Sequence, residues 1–196
     1  MKCNRKSIRL NKYDYSNNGY YFVTICTQNR WNIFGEIKNG KIILNDIGEM
    51  IFKIWNEIPN NYNGIEIDEF MLMPDHLHGI LVINKNGLLK SGRIDNKLKG
   101  RTRGSAPTLG TTNIKSETLG IIVKKFKTLT TKIFIDNVKQ NNWPRFNKRL
   151  WQRNYFERII RNEKKYFKIK KYIKSNPNHH NNVGVDPCVD PLRERM

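Results

Sequence analysis

The segment GIEIDEFMLMPDHLHGILVIN, residues 64–84, predicts two β-strands with a break at Pro74-Asp75. The second strand begins with His76 and His78, two of the four histidines in the chain. Successive strand side chains alternate between faces, so both imidazoles are expected on one face, roughly 7 Å apart for a rise of ~3.3 Å per residue. Such a His-x-His pair is either half of a metal site or a pair of packed histidines, and the pattern leaves both interpretations open.

The elements around this strand pair predict an α+β fold. Their sequences show either the alternation of strands or the periodicity of amphipathic helices. Strands are predicted at 20–28 and in a hairpin at 32–44 that turns at Asn39-Gly40, and helices at 45–58, 116–135 and 161–175, with Asn45 as an N-cap and Pro59 and Pro177 as stops. This order is typical of an antiparallel sheet with helices packed on one face, followed here by a C-terminal helix.

A chain of 196 residues fits one domain, which we expect to span residues 1–177. Within it, residues 85–113 are rich in Gly, Ser, Thr and basic residues and show no sustained period. They predict an exposed, flexible insertion. Residues 178–196 form a tail in which no element is predicted.

The charge of the chain points to a polyanionic partner. There are 36 Lys and Arg against 17 Asp and Glu, which gives a formal charge of +19 and a pI of about 10.0. Such a balance is typical of proteins that meet phosphate backbones. An anionic membrane surface is the rival partner, but no window approaches the ~18 consecutive apolar residues of a membrane span. We therefore expect DNA or RNA as the partner and no membrane.

The compartment is expected to be the cytoplasm. Cys3, Cys26 and Cys188 are odd in number and far apart, which favours neither a disulfide framework nor a metal knuckle. The basic N-terminal segment lacks the apolar core of a signal peptide.

Two polar side chains of the last predicted helix are candidates to complete a site with the histidines. Tyr172 and Asn176 are four residues apart and share a helix face, so a phenol and an amide oxygen could address one centre. Tyr166 aligns with Ile169 and Ile173 as a core stripe, whereas Tyr172 lies about 100° to one side. We therefore expect Tyr166 to pack and Tyr172 to be available, against the alternative that both are structural.

Several segments together resemble the REP-associated tyrosine transposases, which are single-tyrosine HUH enzymes. MPDHLHGILVI (73–83) is similar to the HUH motif, His-hydrophobic-His, and WQRNYFERIIRNEKKYFKIKKYIKSNP (151–177) resembles the late segment of that group. RKSIRLNKYDY, YYFVTICTQNRWNIFGEI and GRTRGSAPTLG also occur in the order of that family. Asp75 stands where the family often has Asn or His, and the insertion is longer than in compact members.

The resemblance implies a ferredoxin-like core and an enzyme that nicks and rejoins single-stranded DNA, with hairpin or repeat DNA as its substrate. The cut would leave a 5′-phosphotyrosine and a 3′-hydroxyl. His76 and His78 match the metal ligands, Tyr172 matches the nucleophile, and Asn176 matches the polar position that supplies a third ligand. The implied cofactor is a divalent cation, Mg²⁺ or Mn²⁺, and mixed imidazole and amide-oxygen ligands suit Mn²⁺ better.

The late segment is also strongly basic, with twelve Lys or Arg from position 145 to position 174 against Glu157 and Glu163. Cations can follow a DNA backbone while interleaved aromatic residues stack on unpaired bases. Contacts with DNA are expected from Arg145, Lys148, Arg149, Arg153, Arg158, Arg161 and Lys165. The alternative is a solvated basic helix face with the aromatic residues in the core.

Two other functions remain open on the sequence. The first is a non-catalytic role, either as a regulator that binds DNA hairpins or as a domesticated transposase. The other is a metal-dependent nuclease that uses water, for which Tyr172 would be dispensable. The sequence is compatible with a monomer or with a homodimer.

Overall fold

A computed structural model describes residues 13–85 and 118–179 of the chain. The predicted insertion from residue 86 onward and the predicted tail from residue 180 onward lie outside this part. The elements in chain order are β1 (Gly19–Cys26), β2 (Gly35–Lys38), β3 (Lys41–Leu44), α1 (Asp46–Asn56), α2 (Ile58–Asn61), β4 (Ile65–Met73), β5 (His76–Ile83), α3 (Leu119–Gln140), β6 (Phe156–Ile160) and α4 (Glu163–His179), with a 3-10 turn at Gln28–Arg30.

The main sheet has four strands in the order β4-β5-β1-β6, and every neighbouring pair is antiparallel. Along the chain these strands alternate with α1 and α3 as β1-α1-β4-β5-α3-β6. This is the order of a ferredoxin-like sheet with its first and third strands in the centre. The predicted α+β, ferredoxin-like fold is therefore confirmed. The β2-β3 hairpin forms a separate two-stranded sheet.

Both faces of the sheet are covered. Side chains of β5 at odd positions, such as Leu77 and Leu81, join a large core with α1 and α3, whereas Ile80 and Val82 join a second core with α4. All eight residues of β5 are buried as a result. A strand buried on both faces has apolar residues at successive positions instead of alternating apolar and polar ones. The sequence of β5 therefore does not show which side chains point to which face of the sheet.

Two local signals of the sequence are confirmed around the hairpin and α1. Asn39 and Gly40 take positive φ values of 53° and 70°, the conformation that a tight hairpin turn requires. The Asn45 side chain accepts a hydrogen bond from the Gly48 backbone N–H at 3.0 Å and caps α1. Pro59 does not end α1, which stops at Asn56, but lies in the first turn of the short helix α2, where its missing N–H costs no hydrogen bond.

The prediction that Pro177 ends the last helix is wrong, because α4 continues through Pro177 to His179. A proline removes one backbone donor and crowds the preceding turn, and both effects are small within the last turn, where little helix follows. Asn176 consequently keeps a helical position, one turn beyond Tyr172.

The helix α4 is anchored over the sheet by apolar contacts and two ion pairs. Tyr166 is only 1% exposed and packs in the second core, as its spacing predicted. Lys170 Nζ lies 2.7 Å from Asp68 Oδ1, and Lys174 Nζ lies 3.2 Å from Glu69 Oε2. Both carboxylates lie in an irregularity of β4, where the register with β5 shifts. These contacts fix the rotation of α4 about its own axis, and with it the direction in which Tyr172 points.

No helix in the described part of the chain is long and apolar enough to cross a membrane. Cys26 lies at the end of β1 and is buried. Cys3 and Cys188 lie outside the described residues.

Candidate active site

The two histidines at the start of β5 face each other. His76 pairs with Cys26 and His78 with Thr24 across β1, so both imidazoles lie on the face that α4 covers. Their Nε2 atoms are 3.0 Å apart, and the ring centroids are 4.5 Å apart with the rings nearly perpendicular. The expectation that both imidazoles lie on one face of the sheet is confirmed. The two rings approach each other more closely than the spacing of their backbone positions along the strand.

Each imidazole is held at its other nitrogen by a buried oxygen. His76 Nδ1 lies 2.5 Å from Asp75 Oδ1, and His78 Nδ1 lies 2.8 Å from Thr24 Oγ1. Asp75 is in turn paired with Arg30, whose Nη2 is 2.8 Å from Asp75 Oδ2. Burial lowers the pKa of His78 well below its ordinary value, and the nearby His76 and Arg30 act in the same direction. His78 is therefore neutral at pH 7, with a lone pair that can bind a proton or a cation.

Tyr172 reaches this pair from α4. Its hydroxyl oxygen lies 3.3 Å from His78 Nε2, and its ring packs edge-on against His78 and Phe22. Burial raises the pKa of Tyr172, and this effect is only partly offset by the Asn176 amide and the Arg30 guanidinium. The side chain is therefore a neutral phenol at pH 7.

Asn176 lies one helical turn beyond Tyr172 and is 7% exposed. Its amide nitrogen is buried and makes no hydrogen bond of good geometry among the described residues, although the amide is close enough to Tyr172 to lower the pKa of the phenol. An unsatisfied buried polar atom costs about 1 to 3 kcal/mol, so such atoms are uncommon unless a ligand completes them. Rotation of the amide by 180° places its carbonyl oxygen in the same position, and amide orientation is assigned from hydrogen bonds.

The donor types of three residues near Tyr172 suit a divalent cation. No group of three His, Cys, Asp or Glu that could hold a metal occurs in residues 13–85 and 118–179. The candidate set consists instead of the imidazoles of His76 and His78 with the amide of Asn176. Two neutral nitrogens and an amide oxygen are donors that Mn²⁺ accepts readily, and Mg²⁺ less so. The Asn176 amide, buried next to Tyr172 without a well-formed hydrogen bond, is the donor of this set that has room for a further ligand.

The residues expected to contact DNA fall into separate groups. The segment that carries Arg149 and Arg153 is tied to the histidine end of β1, because Gln28 N–H donates to Leu150 O and Gln152 N–H donates to Cys26 O. The charged side chains at 145, 148, 149 and 153 are exposed. This segment therefore lies beside the candidate site.

The other expected DNA contacts lie elsewhere. β6 runs from Phe156, opposite Thr24, to Ile160, opposite Tyr20, so Arg161 and Lys165 follow at the end of the sheet away from the histidines. Both side chains are exposed. Arg158 is half-buried and pairs with Phe22 on the α4 face.

Some aromatic residues between positions 143 and 166 pack in the core and are not available to stack on DNA bases. Trp151 is 4% exposed and contacts the rings of Phe34 and Phe126, and its indole N–H donates to Thr130 Oγ1 at 2.9 Å. Trp143 and Tyr155 are half-buried against the same core. Stacking on DNA bases therefore gains no support from Trp151 or Tyr166.

Three residues around the histidines were missed by the sequence analysis as members of the site. These are Thr24, Arg30 and Asp75, of which the sequence singled out only Asp75, as part of a strand break and as a departure from the family pattern. An acidic residue directly before a strand histidine is the one signal that the sequence contains. The positions of Thr24 and Arg30 depend on the register of β1 against β5.

A protein of Haemophilus influenzae, itself uncharacterised, is 40% identical over 176 residues, which cover 88% of each chain. The chain belongs to the same family as this protein. No protein-family model matches the chain.

Among solved structures, a REP-associated tyrosine transposase bound to a REP hairpin superimposes with a TM-score of 0.52 at 16% identity, over 88% of this chain and 73% of that one. The resemblance to the REP-associated tyrosine transposases is thereby confirmed at the level of the fold. A candidate transposase from Deinococcus radiodurans R1 superimposes with a TM-score of 0.45 at 17% identity, over 85% of this chain and 95% of that one, too loosely to support an argument.

Proposed function

We propose that the protein is a metal-dependent tyrosine transposase that nicks and rejoins single-stranded DNA through a covalent link to Tyr172. The single observation that carries this proposal is the meeting of Tyr172 with the paired histidines, at 3.3 Å from His78 Nε2. The transposase fold supports it. A protein that only binds DNA has no need of a buried imidazole pair with a tyrosine and an unsatisfied amide beside it.

In the proposed reaction, Tyr172 Oη attacks a backbone phosphorus and forms a P–O bond, while the bond from phosphorus to the 3′ oxygen breaks. The phenol gives up its proton, and the leaving 3′ oxygen takes up a proton to become a 3′-hydroxyl, so that charge and atoms balance. Rejoining is the reverse attack by a 3′-hydroxyl on the phosphotyrosine. The covalent step conserves the energy of the phosphodiester bond, which allows strand transfer without another energy source.

The cofactor in this proposal is Mn²⁺ or Mg²⁺, held by His76, His78 and Asn176. When bound, the cation would supply Lewis-acid stabilisation of the charge that develops on the phosphate oxygens. The protein contributes the rest. Asp75 and Thr24 orient the imidazoles, and the docking of α4 holds the Tyr172 hydroxyl beside them. Burial raises the pKa of Tyr172, which favours the neutral phenol.

The proposed substrate is single-stranded or hairpin DNA in the cytoplasm. Its support is the formal charge of +19, the exposed basic residues beside the histidine end of the sheet, and the hairpin bound by the transposase of the same fold. We place the expected phosphate contacts at Arg145, Lys148, Arg149 and Arg153. Arg161 and Lys165 would contact the DNA at the end of the sheet away from the histidines, and Arg158 would contribute from β6.

Trapping of a covalent adduct tests the proposal against its rivals. Incubation with single-stranded DNA and Mn²⁺, followed by denaturing electrophoresis, should show protein with attached DNA. A hydrolytic nuclease would cut the DNA without an adduct, and a binding regulator would do neither.

A further inference from the structure

The two histidines differ in the kind of oxygen that holds them. Asp75 presents a carboxylate to His76 Nδ1, with its side chain only 5% exposed. Thr24, which is fully buried, presents a hydroxyl to His78 Nδ1. Water cannot readily replace either oxygen, so these two contacts limit which nitrogen of each ring can carry the proton.

Asp75 permits one arrangement. Its other oxygen is paired with Arg30, which is itself held by a contact of Nη1 with Cys26 Sγ at 3.0 Å. An ionised carboxylate accepts hydrogen bonds and cannot donate them. Arg30 Nη2 also approaches His76 Nδ1, but at 3.5 Å against 2.5 Å for the carboxylate oxygen. The proton of His76 is therefore expected on Nδ1, and the lone pair on Nε2, the atom that faces His78.

Thr24 permits two arrangements, because a hydroxyl can donate or accept. Since His76 Nε2 has a lone pair, the contact of 3.0 Å between the two Nε2 atoms needs a proton from His78 Nε2 when no cation is present. His78 Nδ1 then accepts a hydrogen bond from Thr24. If both Nε2 atoms bind a cation, the His78 proton moves to Nδ1 and the Thr24 hydroxyl turns to accept it.

We propose that Asp75 and Thr24 are positioning residues for the metal site, with Asp75 fixing the tautomer of His76 and the Thr24 hydroxyl rotating to let His78 change its tautomer when the cation binds. The inference rests on the metal ligands of the proposed function. The partners of ligating histidines orient the rings, and their loss typically weakens metal binding by about 10 to 100-fold.

The test measures Mn²⁺ affinity of the purified full chain by electron paramagnetic resonance, without DNA. Asp75→Asn and Thr24→Val keep the shape of each side chain but remove the charge and the hydroxyl, respectively. The matched controls are Asp46→Asn, on α1 across the sheet, and Thr130→Val, which removes a buried hydroxyl bonded to Trp151. We expect about 10 to 100-fold weaker Mn²⁺ binding for the first two variants and unchanged affinity for the controls.

A second readout concerns the protons themselves. Long-range ¹H–¹⁵N spectra of the metal-free protein distinguish the two tautomers of each histidine. We expect His76 protonated at Nδ1 and His78 at Nε2 in the wild-type protein, and loss of the fixed His76 tautomer in Asp75→Ala. A diamagnetic cation such as Mg²⁺ should move the His78 proton to Nδ1 in the wild-type protein.

Unchanged Mn²⁺ affinity in both Asp75→Asn and Thr24→Val would overturn the proposal, as would a His76 proton on Nε2. If the Tyr172 adduct forms normally in these variants with unchanged metal affinity, the positioning role fails while the proposed function stands. If metal affinity falls as expected but the wild-type protein forms no adduct, the positioning role stands and the transposase chemistry fails. Should Asp75→Ala not fold, the affinity of Asp75→Asn and the wild-type spectra still decide.

Discussion

Tyr172 and His78 are 94 positions apart in the sequence, and the phenol oxygen of one lies 3.3 Å from Nε2 of the other. The contact joins the C-terminal helix to a central strand of the sheet within one chain. It is held from both sides, since Thr24 positions His78 and the ion pairs of Lys170 and Lys174 with β4 position the helix. Replacement of any of these partners should therefore affect the chemistry more than the fold.

Removal of either imidazole should abolish metal-dependent cleavage and leave most DNA binding. Variants His76→Ala and His78→Ala each lose a candidate ligand, and cleavage should fall more than about 100-fold because several kcal/mol of charge stabilisation are lost. DNA affinity, measured by fluorescence anisotropy, should change little because it comes from the basic surface. Treatment of the wild-type protein with EDTA should have the same effect, reversed by Mn²⁺. Full activity of either variant after metal is restored would exclude these ligands.

The two exposed groups of basic residues should behave differently. The double variant Arg149→Ala with Arg153→Ala removes charge beside the histidines, whereas Arg161→Ala with Lys165→Ala removes it at the other end of the sheet. Each lost phosphate contact should reduce the salt slope of single-stranded DNA binding by about 0.7. Only the first variant should also slow cleavage at saturating DNA, because it acts next to the reacting phosphate. Equal cleavage by both variants would contradict this placement.

The buried Lys127 should make the free energy of unfolding depend on pH, independently of the histidines and Tyr172. Its Nζ donates to the carbonyls of Gln152 and Asn154 at 3.0 Å, and burial lowers its pKa from 10.5 to about 8. Between pH 8 and pH 10.5 the unfolded chain binds more protons than the folded chain, so the free energy of unfolding should rise with pH in this window.

The comparison with Lys127→Met isolates this contribution, since the other titrating groups are common to both proteins. The difference in unfolding free energy, wild-type minus variant, should increase by up to roughly 3 kcal/mol between pH 8 and pH 10.5. This follows from about 1.4 kcal/mol per unit of pKa shift. Chemical denaturation at several pH values measures it. A difference that stays constant with pH would show that the two carbonyls keep the ammonium ion fully stabilised.

The parts of the fold that could be predicted from the sequence are those with local causes. The turn at Asn39-Gly40 and the cap at Asn45 each depend on a few neighbouring residues, and both form as expected. The helical stripe of Tyr166, with Tyr172 at its edge, is a property of one helix and was also predicted correctly. The prediction that Pro177 ends the helix failed because proline disrupts the interior of a helix, whereas Pro177 lies in the last turn of α4.

The support around the histidines could not be predicted, because it depends on contacts between distant segments. Thr24 reaches His78 only through the register of β1 against β5, a separation of 54 positions. Arg30 approaches Asp75 because the chain turns back after β1, with Arg30 at a positive φ of 57°. Neither the register nor the turn leaves a periodic signal in the sequence.

The most direct measurement of the central claim is the identity of the residue that carries DNA after cleavage. The protein is incubated with a single-stranded oligonucleotide and Mn²⁺, denatured and digested, and the modified peptide is sequenced by mass spectrometry. We expect the adduct on Tyr172, its loss in a normally folded Tyr172→Phe variant, and its retention in Tyr166→Phe, which removes a hydroxyl that accepts from Lys170 in the second core. Cleavage without an adduct on any tyrosine, or an adduct that persists in Tyr172→Phe, would contradict the account.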